Sequence, residues 1–439
     1  MNLNTPNWVK RVATIILLLL VANKSHAIDT LSFSLDEIIL KALSNSKYVE
    51  QYHLNLKEKE IQVEQTKIEL LPKVNLRASA SYATNMPIYD RGILNKPSQH
   101  DVIHYLYDTG ADFYLNLYNG HRDVIKIKSS KLEKEIANID WLESNAKIKM
   151  DVCNLYLELM RGFSHKNLIE KDIVDQLNQL QEIKNLYKAG VVLYSDVLRI
   201  ELELSKRELL LIQIKNDIKI NVQKLQLITG IQEDIVPSDK LVETFQMDFQ
   251  TLLQSAIENA FSLQRSEQEV SLKNLNIKNT KSNYLPEIGL TGTFTFANPQ
   301  IFLYPYNDSW YNLGIVGLKM NFPISNFYLN KNLVRSSRVS YEKEKVKHHE
   351  EEDILKNQLM QAFLDYNLAL EQKKICIKNI DLAKENVRII KNRYFQSAAL
   401  ITDLLDADMQ HLTTQFELES AKIAIQKQYY LIEFLKGTI

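Results

Sequence analysis

Apolar residues alternate with polar ones through Val74, Leu76, Ala78, Ala80 and Tyr82, directly after Leu71-Pro72. The pattern returns as Ile288, Leu290, Gly292, Phe294 and Phe296 after Leu285-Pro286, each residue 214 positions on. Upstream, at the same offset of 214, Leu35, Ile38, Ile39, Ala42 and Leu43 meet Phe249, Leu252, Leu253, Ala256 and Ile257, spaced like the apolar stripe of an amphipathic helix. Further on, Tyr187, Ser195, Asp196 and Leu198 meet Tyr394, Thr402, Asp403 and Leu405 at an offset of 207. The pattern predicts a duplicated module of several elements, slightly shortened in its second copy, and excludes a solenoid of small units.

Each copy predicts two strands, roughly Lys73 to Asn85 and Tyr105 to Tyr118, then Glu287 to Ala297 and Trp310 to Phe322. Their lengths approach the ~9–11 residues that cross a bilayer at a tilt. Asn75, Arg77, Ser79 and Ser81 fill the polar positions, so one face suits lipid and the other water. Tyr82, Tyr89, Tyr105, Tyr107, Tyr114 and Tyr118, with Phe302, Tyr304, Tyr306, Trp310 and Tyr311, cluster at strand ends and suit interfacial girdles. Strands of a soluble sandwich favour the same residues, so alternation alone leaves both readings open.

The remainder is patterned as helix. From Asp123 to Tyr187 there is no Pro and only Gly162, and Ile173, Leu177, Leu180 and Tyr187 recur at three- and four-residue spacing. A helix of about 65 residues spans on the order of 100 Å, far beyond a globular core. A second run, Asp196 to Ile228, follows Ala189-Gly190, and the second copy repeats the pair as Lys331 to Phe395 and Asp403 to Leu435. Ser34 and Glu37 are spaced as a capping box for the opening helix. Four strands cannot close a barrel, since the smallest transmembrane barrels need about eight. Three copies of the chain supply twelve strands around a wet lumen, so a homotrimer is expected.

Composition agrees with long elements: 439 residues contain only 11 Gly and 9 Pro. A net charge of −1 leaves no basic footprint for nucleic acid. Cys153 and Cys376 fall at non-equivalent places in helix-patterned stretches and read as packing, not as a disulfide. At the N-terminus, Lys10-Arg11 precede an apolar run from Val12 to Ala22 and then Ser25-His26-Ala27, which predicts a signal peptide over 1–27 and a mature start at Ile28. That run is short of the ~20 residues a membrane anchor needs, and no other stretch approaches a transmembrane helix. No Gly-Lys-Ser/Thr phosphate loop, Ser-His-Asp set or His-Glu-x-x-His motif stands out, so no catalytic residue, cofactor or metal is expected. His348-His349 before Glu350-Glu351-Glu352-Asp353 reads as a solvated charged face.

The duplicated order of helix, Leu-Pro, strand, loop, strand and long helical hairpin resembles the TolC-type outer-membrane efflux proteins over essentially the whole mature chain. The turns after the strands, Leu117-Tyr118-Asn119-Gly120 and Phe322-Pro323-Ile324-Ser325-Asn326, are similar to that family's apolar-Pro-Leu-Phe-Asp-Gly type. Its hairpin turns are matched by Tyr187-Lys188-Ala189-Gly190 with Ser195-Asp196-Val197-Leu198, and by Tyr394-Phe395-Gln396-Ser397 with Thr402-Asp403-Leu404-Leu405. The resemblance implies a mixed α and β membrane protein with repeats over 28–235 and 248–439 and a linker at 236–247. It implies a trimeric 12-stranded transmembrane β-barrel in the outer-membrane lipid, continued by a periplasmic α-helical barrel. Partners are then a periplasmic adaptor and an inner-membrane transporter that delivers substrate for passive passage.

Asp403 and Asp406 are three residues apart and share a helical face, which threefold symmetry repeats as an acidic ring. The resemblance makes them aperture residues; capping of the second hairpin helix is the alternative for Asp403. It makes Tyr394 a gate residue against Ser195 and Asp196, with packing at the hairpin end as the alternative. Ala399 stands where some members carry a gate arginine, and Ser397 replaces the turn glycine, so the closed end is expected to be built differently. A non-conducting exported spacer or adhesin with a membrane foot is the competing function.

Overall fold

The computed structural model describes residues 32–239, 241, 247–301, 305 and 307–439. The expected signal peptide, Phe302, Tyr304 and Tyr306 of the expected girdles, and positions 240 and 242–246 of the expected linker lie outside them. The first copy contains β1 (Ser32–Phe33), α1 (Leu35–Asn45), α2 (Lys47–Ile68), β2 (Lys73–Tyr82), β3 (Met86–Ile88), β4 (Ser98–His100), β5 (Tyr105–Tyr118), α3 (Arg122–Lys188) and α4 (Tyr194–Thr229). After β6 (Val236–Pro237) the second copy contains α5 (Phe249–Asn259), α6 (Phe261–Ser282), β7 (Glu287–Asn298), β8 (Tyr311–Asn321), α7 (Asn326–Phe395) and α8 (Ile401–Leu435). Helices α1 and α5 each have 11 residues and α2 and α6 each have 22, with starts 214 residues apart, so the repeat holds element for element.

The spacing predicts one helix before Leu71-Pro72; the structure has two. The capping box forms as expected, with Glu37 N–H donating to Ser34 Oγ at 3.3 Å and Ser34 N–H donating to the Glu37 carboxylate at 2.8 Å. Ser46 then ends α1 by donating its N–H to the Ala42 carbonyl, while its hydroxyl accepts from Val49 N–H and opens α2. A serine offering its own oxygen to nearby amides competes with continued helix. The second departure is the hairpin of β3 and β4, which occupies the longer interstrand loop of the first copy.

Packing groups the chain into two compact units, each drawing on both copies. One comprises Glu50–Glu143 and Ile257–Lys356. Its sheet runs β2-β5-β7-β8, antiparallel throughout, with Arg77 opposite Gly110, Gly110 opposite Thr295 and Thr295 opposite Leu313. Because successive side chains alternate faces, this register sorts them by polarity. Leu76, Ala78, Phe113, Leu290, Phe294, Val316 and Leu318 share one face, on which Leu76 is 85% exposed, Val316 70% and Leu318 72%. Asn75, Arg77, Asp108, Asp112, Thr293, Thr295 and Lys319 share the other.

On the polar face Arg77 ties three strands together. Its Nε donates to Asp108 at 3.0 Å, Nη1 to Asp112, and Nη2 to Thr295 Oγ1 at 2.7 Å. On the apolar face the Phe113 ring lies where a Cβ on Gly292 would come within 1.9 Å of it, so only glycine admits this ring. An aromatic over a strand glycine restores the packing the glycine lacks. Among the described residues no helix is long and apolar enough to cross a membrane.

The other unit comprises Ser144–Ala256 and Asn357–Ile439 with the described residues up to Val49. The segment after α4 reads as irregular linker, yet its positions 236 and 237 form β6, paired parallel with β1. Tyr156 of α3, 1% exposed, pins this pair: its hydroxyl donates to the Phe33 carbonyl at 3.0 Å and accepts the Ser238 and Asp239 N–H groups at 3.2 Å. Tyr156→Phe removes three hydrogen bonds to backbone groups at once, although the Ser238 N–H and the Phe33 carbonyl keep each other at 3.2 Å. It is expected to lower unfolding stability by about 1–3 kcal/mol and to speed hydrogen exchange at Ser238 and Asp239, measured by denaturant titration and exchange mass spectrometry.

Candidate functional site at the hairpin ends

The two long helices of each copy reverse through the same turn. Gly190, at φ +76°, receives a Schellman closure in which its N–H reaches the Tyr187 carbonyl at 2.9 Å and Val191 N–H reaches Leu186 at 2.9 Å. Ser397, at φ +59°, receives the same closure from Tyr394 at 2.9 Å and Arg393 at 2.8 Å. The second copy thus holds a side chain in the left-handed region, where an L-residue costs about 1–2 kcal/mol. Leu193 and Leu400 then start α4 and α8 with nearly identical extended backbones.

Behind these turns lies a core built by both hairpins. Leu180 and Ile183 of α3, Val197, Ile200 and Leu204 of α4, and Ile401, Leu404 and Leu405 of α8 surround Tyr394 at the end of α7. Ala399 packs against this cluster and fills it as an apolar side chain. Tyr394 is 6% exposed, and its buried hydroxyl has no hydrogen-bond partner. Burial foremost, and then the adjacent Asp196 carboxylate, push the phenol up to about 12. Ser195 Oγ donates to Asp196 Oδ1 at 3.4 Å. The structure therefore brings Tyr394, Ser195 and Asp196 together; the ring is packed, and no phenol–carboxylate bond is closed.

Asp403 and Asp406 stay apart from that group, both exposed on α8. Asp403 accepts the Leu400 N–H at 3.2 Å, so it caps its helix as the alternative reading holds. Asp406 lines an open polar groove of ≈ 700 Å³ between α7 and α8, with Asn379, Asn386, Gln410, Thr413 and Glu417. Exposed Val191, Leu193, Tyr194 and Leu400 crown the turns.

Motif reading passes over a second polar group farther from the turns. Arg207 of α4 has 0% of its side chain exposed. Its Nε donates to Asp172 of α3 at 2.5 Å, its Nη1 reaches the Glu203 carboxylate at 3.6 Å, and its Nη2 is buried without a partner. Gln176 of α3, 2% exposed, donates Nε2 to Asp408 Oδ2 of α8 at 3.1 Å, while its own Oε1 is buried and unpartnered. Burial pushes both carboxyls above the usual range, against the pull of Arg207 on Asp172 and of Gln176, Gln179, Arg207 and Lys391 on Asp408. The signal was present in the sequence: Arg207 sits on the register of Val197, Ile200, Leu204, Ile214 and Ile218, which are all buried.

Residues 252–437 match the family model described as outer membrane efflux protein. A comparison with curated protein sequences gave no match. Among solved structures, the outer-membrane channel OprN matches with a TM-score of 0.78 at 16% identity, covering 92% of this chain and 90% of that one. CusC, whose structures concern folding and transmembrane channel formation, matches at 0.79 and 14%, covering 92% of each chain. The outer membrane protein VceC of Vibrio cholerae matches at 0.75 and 14%, covering 92% of this chain and 96% of its own. The second repeat is thus similar to the outer membrane efflux protein family, and the chain throughout has the fold of the TolC-type outer-membrane channels.

Proposed function

We propose that three copies of this chain form an outer-membrane export channel, with the sheets closing a twelve-stranded barrel and the long helices forming a periplasmic tunnel. The observation that carries this reading is the two-faced sheet with open edges. Strand direction alternates across β2-β5-β7-β8, so β8 of one copy is antiparallel to β2 of the next, and closure leaves no free edge. The polar face then lines a lumen and the apolar face meets lipid. The chain supplies a passive route; an inner-membrane transporter provides the energy and a periplasmic adaptor docks on the exposed apolar residues at the hairpin ends. The core around Tyr394 favours the closed end, and adaptor binding shifts the balance toward the open one. Asp403 and Asp406, repeated three times, give the narrow end its preference for cations.

The test is current across a planar bilayer under a salt gradient. The purified protein is expected to give small cation-selective steps, and Asp403→Asn combined with Asp406→Asn to move the reversal potential toward zero. An unchanged potential would remove these two residues from the pore. Silence after verified trimer insertion, persisting when adaptor is added, would instead favour the non-conducting spacer.

A further inference from the structure

We propose that Asp408 is a proton-binding site joining the two helical hairpins: as a carboxylic acid it closes a reciprocal pair with the side-chain amide of Gln176. The argument starts from an unsatisfied atom. Gln176 is 2% exposed and uses its amide nitrogen on Asp408 Oδ2 at 3.1 Å, yet its amide oxygen is buried with no donor. A buried acceptor left in this state costs about 1–3 kcal/mol. An ionised Asp408 has no hydrogen to offer it. A protonated Asp408 carries one O–H, on a carboxyl already bonded to the other end of the same amide. Carboxylic acid and primary amide then exchange two hydrogen bonds, N–H to C=O and O–H to C=O, and Gln176 Oε1 is satisfied.

The surrounding charges select Asp408 over Asp172 for the proton. From α4, Arg207 commits its Nε to Asp172 at 2.5 Å and is also held by Glu203. Asp172 therefore keeps a cation in contact, with Asp175 on its own helix as an opposing charge. The groups nearest Asp408 are neutral amides, Gln176, which bonds it, and Gln179; Arg207 and, from α7, Lys391 act on it as charges without a bond. Burial raises its proton affinity in the packed state, and the reciprocal pair adds to that.

The sign follows from linkage. A carboxyl whose pKa is raised where the hairpins are packed, relative to where they are apart, stabilises the packed state fully below the ordinary carboxylate pKa. That stability is lost as pH rises through the raised value. Mild acid therefore tightens the junction of α3 with α8, and neutral or alkaline pH loosens it. The consequence for current rests on reading the hairpin ends as the gate; the proton site itself does not.

Hydrogen exchange of the full-length protein in detergent, corrected for intrinsic rates, tests the site. Between about pH 8 and about pH 5, exchange across residues 172–179 and 404–412 is expected to slow by roughly tenfold for each unit by which the packed-state pKa of Asp408 exceeds the lower pH. Asp408→Asn, whose amide makes the same two-bond pair without a proton, is expected to exchange slowly at every pH. Wild-type exchange at this junction that is flat or accelerates on acidification would overturn the proposal, as would a folded Asp408→Asn that keeps the full pH dependence. The wild-type series decides alone if that variant does not accumulate. Bilayer currents on the same samples are read separately, so a junction that tightens in acid beside a pore that never conducts would count against the channel reading and leave the proton site standing.

Discussion

Val316→Arg is expected to destabilise the membrane-inserted protein by about 2–4 kcal/mol per chain, whereas Ile315→Arg one residue away is expected to be tolerated. Val316 lies near the middle of β8, opposite Gly292, 70% exposed on the face with Leu318 and Phe294. A guanidinium there must enter hydrocarbon or bend the strand to escape it. Ile315 lies opposite Thr293 on the face that carries Arg77, Asp108 and Asp112, where a charge meets water and carboxylates. The proposed threefold assembly would multiply the penalty at 316, so the contrast should be plain in urea titrations of protein folded into lipid vesicles, read by the trimer band. Equal tolerance at the two positions would mean that the apolar face does not meet lipid.

Arg207→Ala is expected to cost about 3–5 kcal/mol at neutral pH, because removing one partner of a buried ion pair leaves the other uncompensated. Asp172 keeps 17% of its side chain exposed, which favours the lower end of that range. The loss should shrink as pH falls, since Asp172 and Asp408 are both held above the usual carboxylate range by burial and neutralise first. Arg207→Met restores most of the volume, so the part of the loss it does not recover is electrostatic. Guanidinium titrations of wild type and both variants at neutral and mildly acidic pH separate these contributions; a loss below about 1 kcal/mol for Arg207→Ala, the level of a surface pair, would show the pair to be solvated.

Periodicity made the long elements legible. Four strands and four long helices appear within a few residues of their expected ends, because alternation over ten residues and a three-to-four spacing over sixty are redundant signals. Short-range competition was harder to see. Ser46 splits the opening helix through two hydrogen bonds, and β1 pairs with β6 across about two hundred residues of sequence. Neither leaves a period. At the hairpin ends the sequence named Tyr394, Ser195 and Asp196 together, and the structure groups them. It did not reveal that the phenol is buried without a partner, which depends on eight residues from three other helices closing over it. Arg207 and Asp408 went unread because a charge on an apolar register is normally taken as a solvated exception; here Arg207 is fully buried and Asp408 half-buried.

The open edges of the sheet also govern when the protein folds. Helices α3, α4, α7 and α8 satisfy their backbone within themselves and pack on one another within the chain, so they form independently of protomer concentration. Strands β2 and β8, the edges of the four-stranded sheet, each leave one row of amides and carbonyls that the proposed trimer fills with another chain. In that trimer the sheet has no complete single-chain state, and its stability contains a term in protomer concentration. Below that concentration a chain would hold finished helices and two adhesive edges, the form in which it is most exposed to wrong pairing and proteolysis.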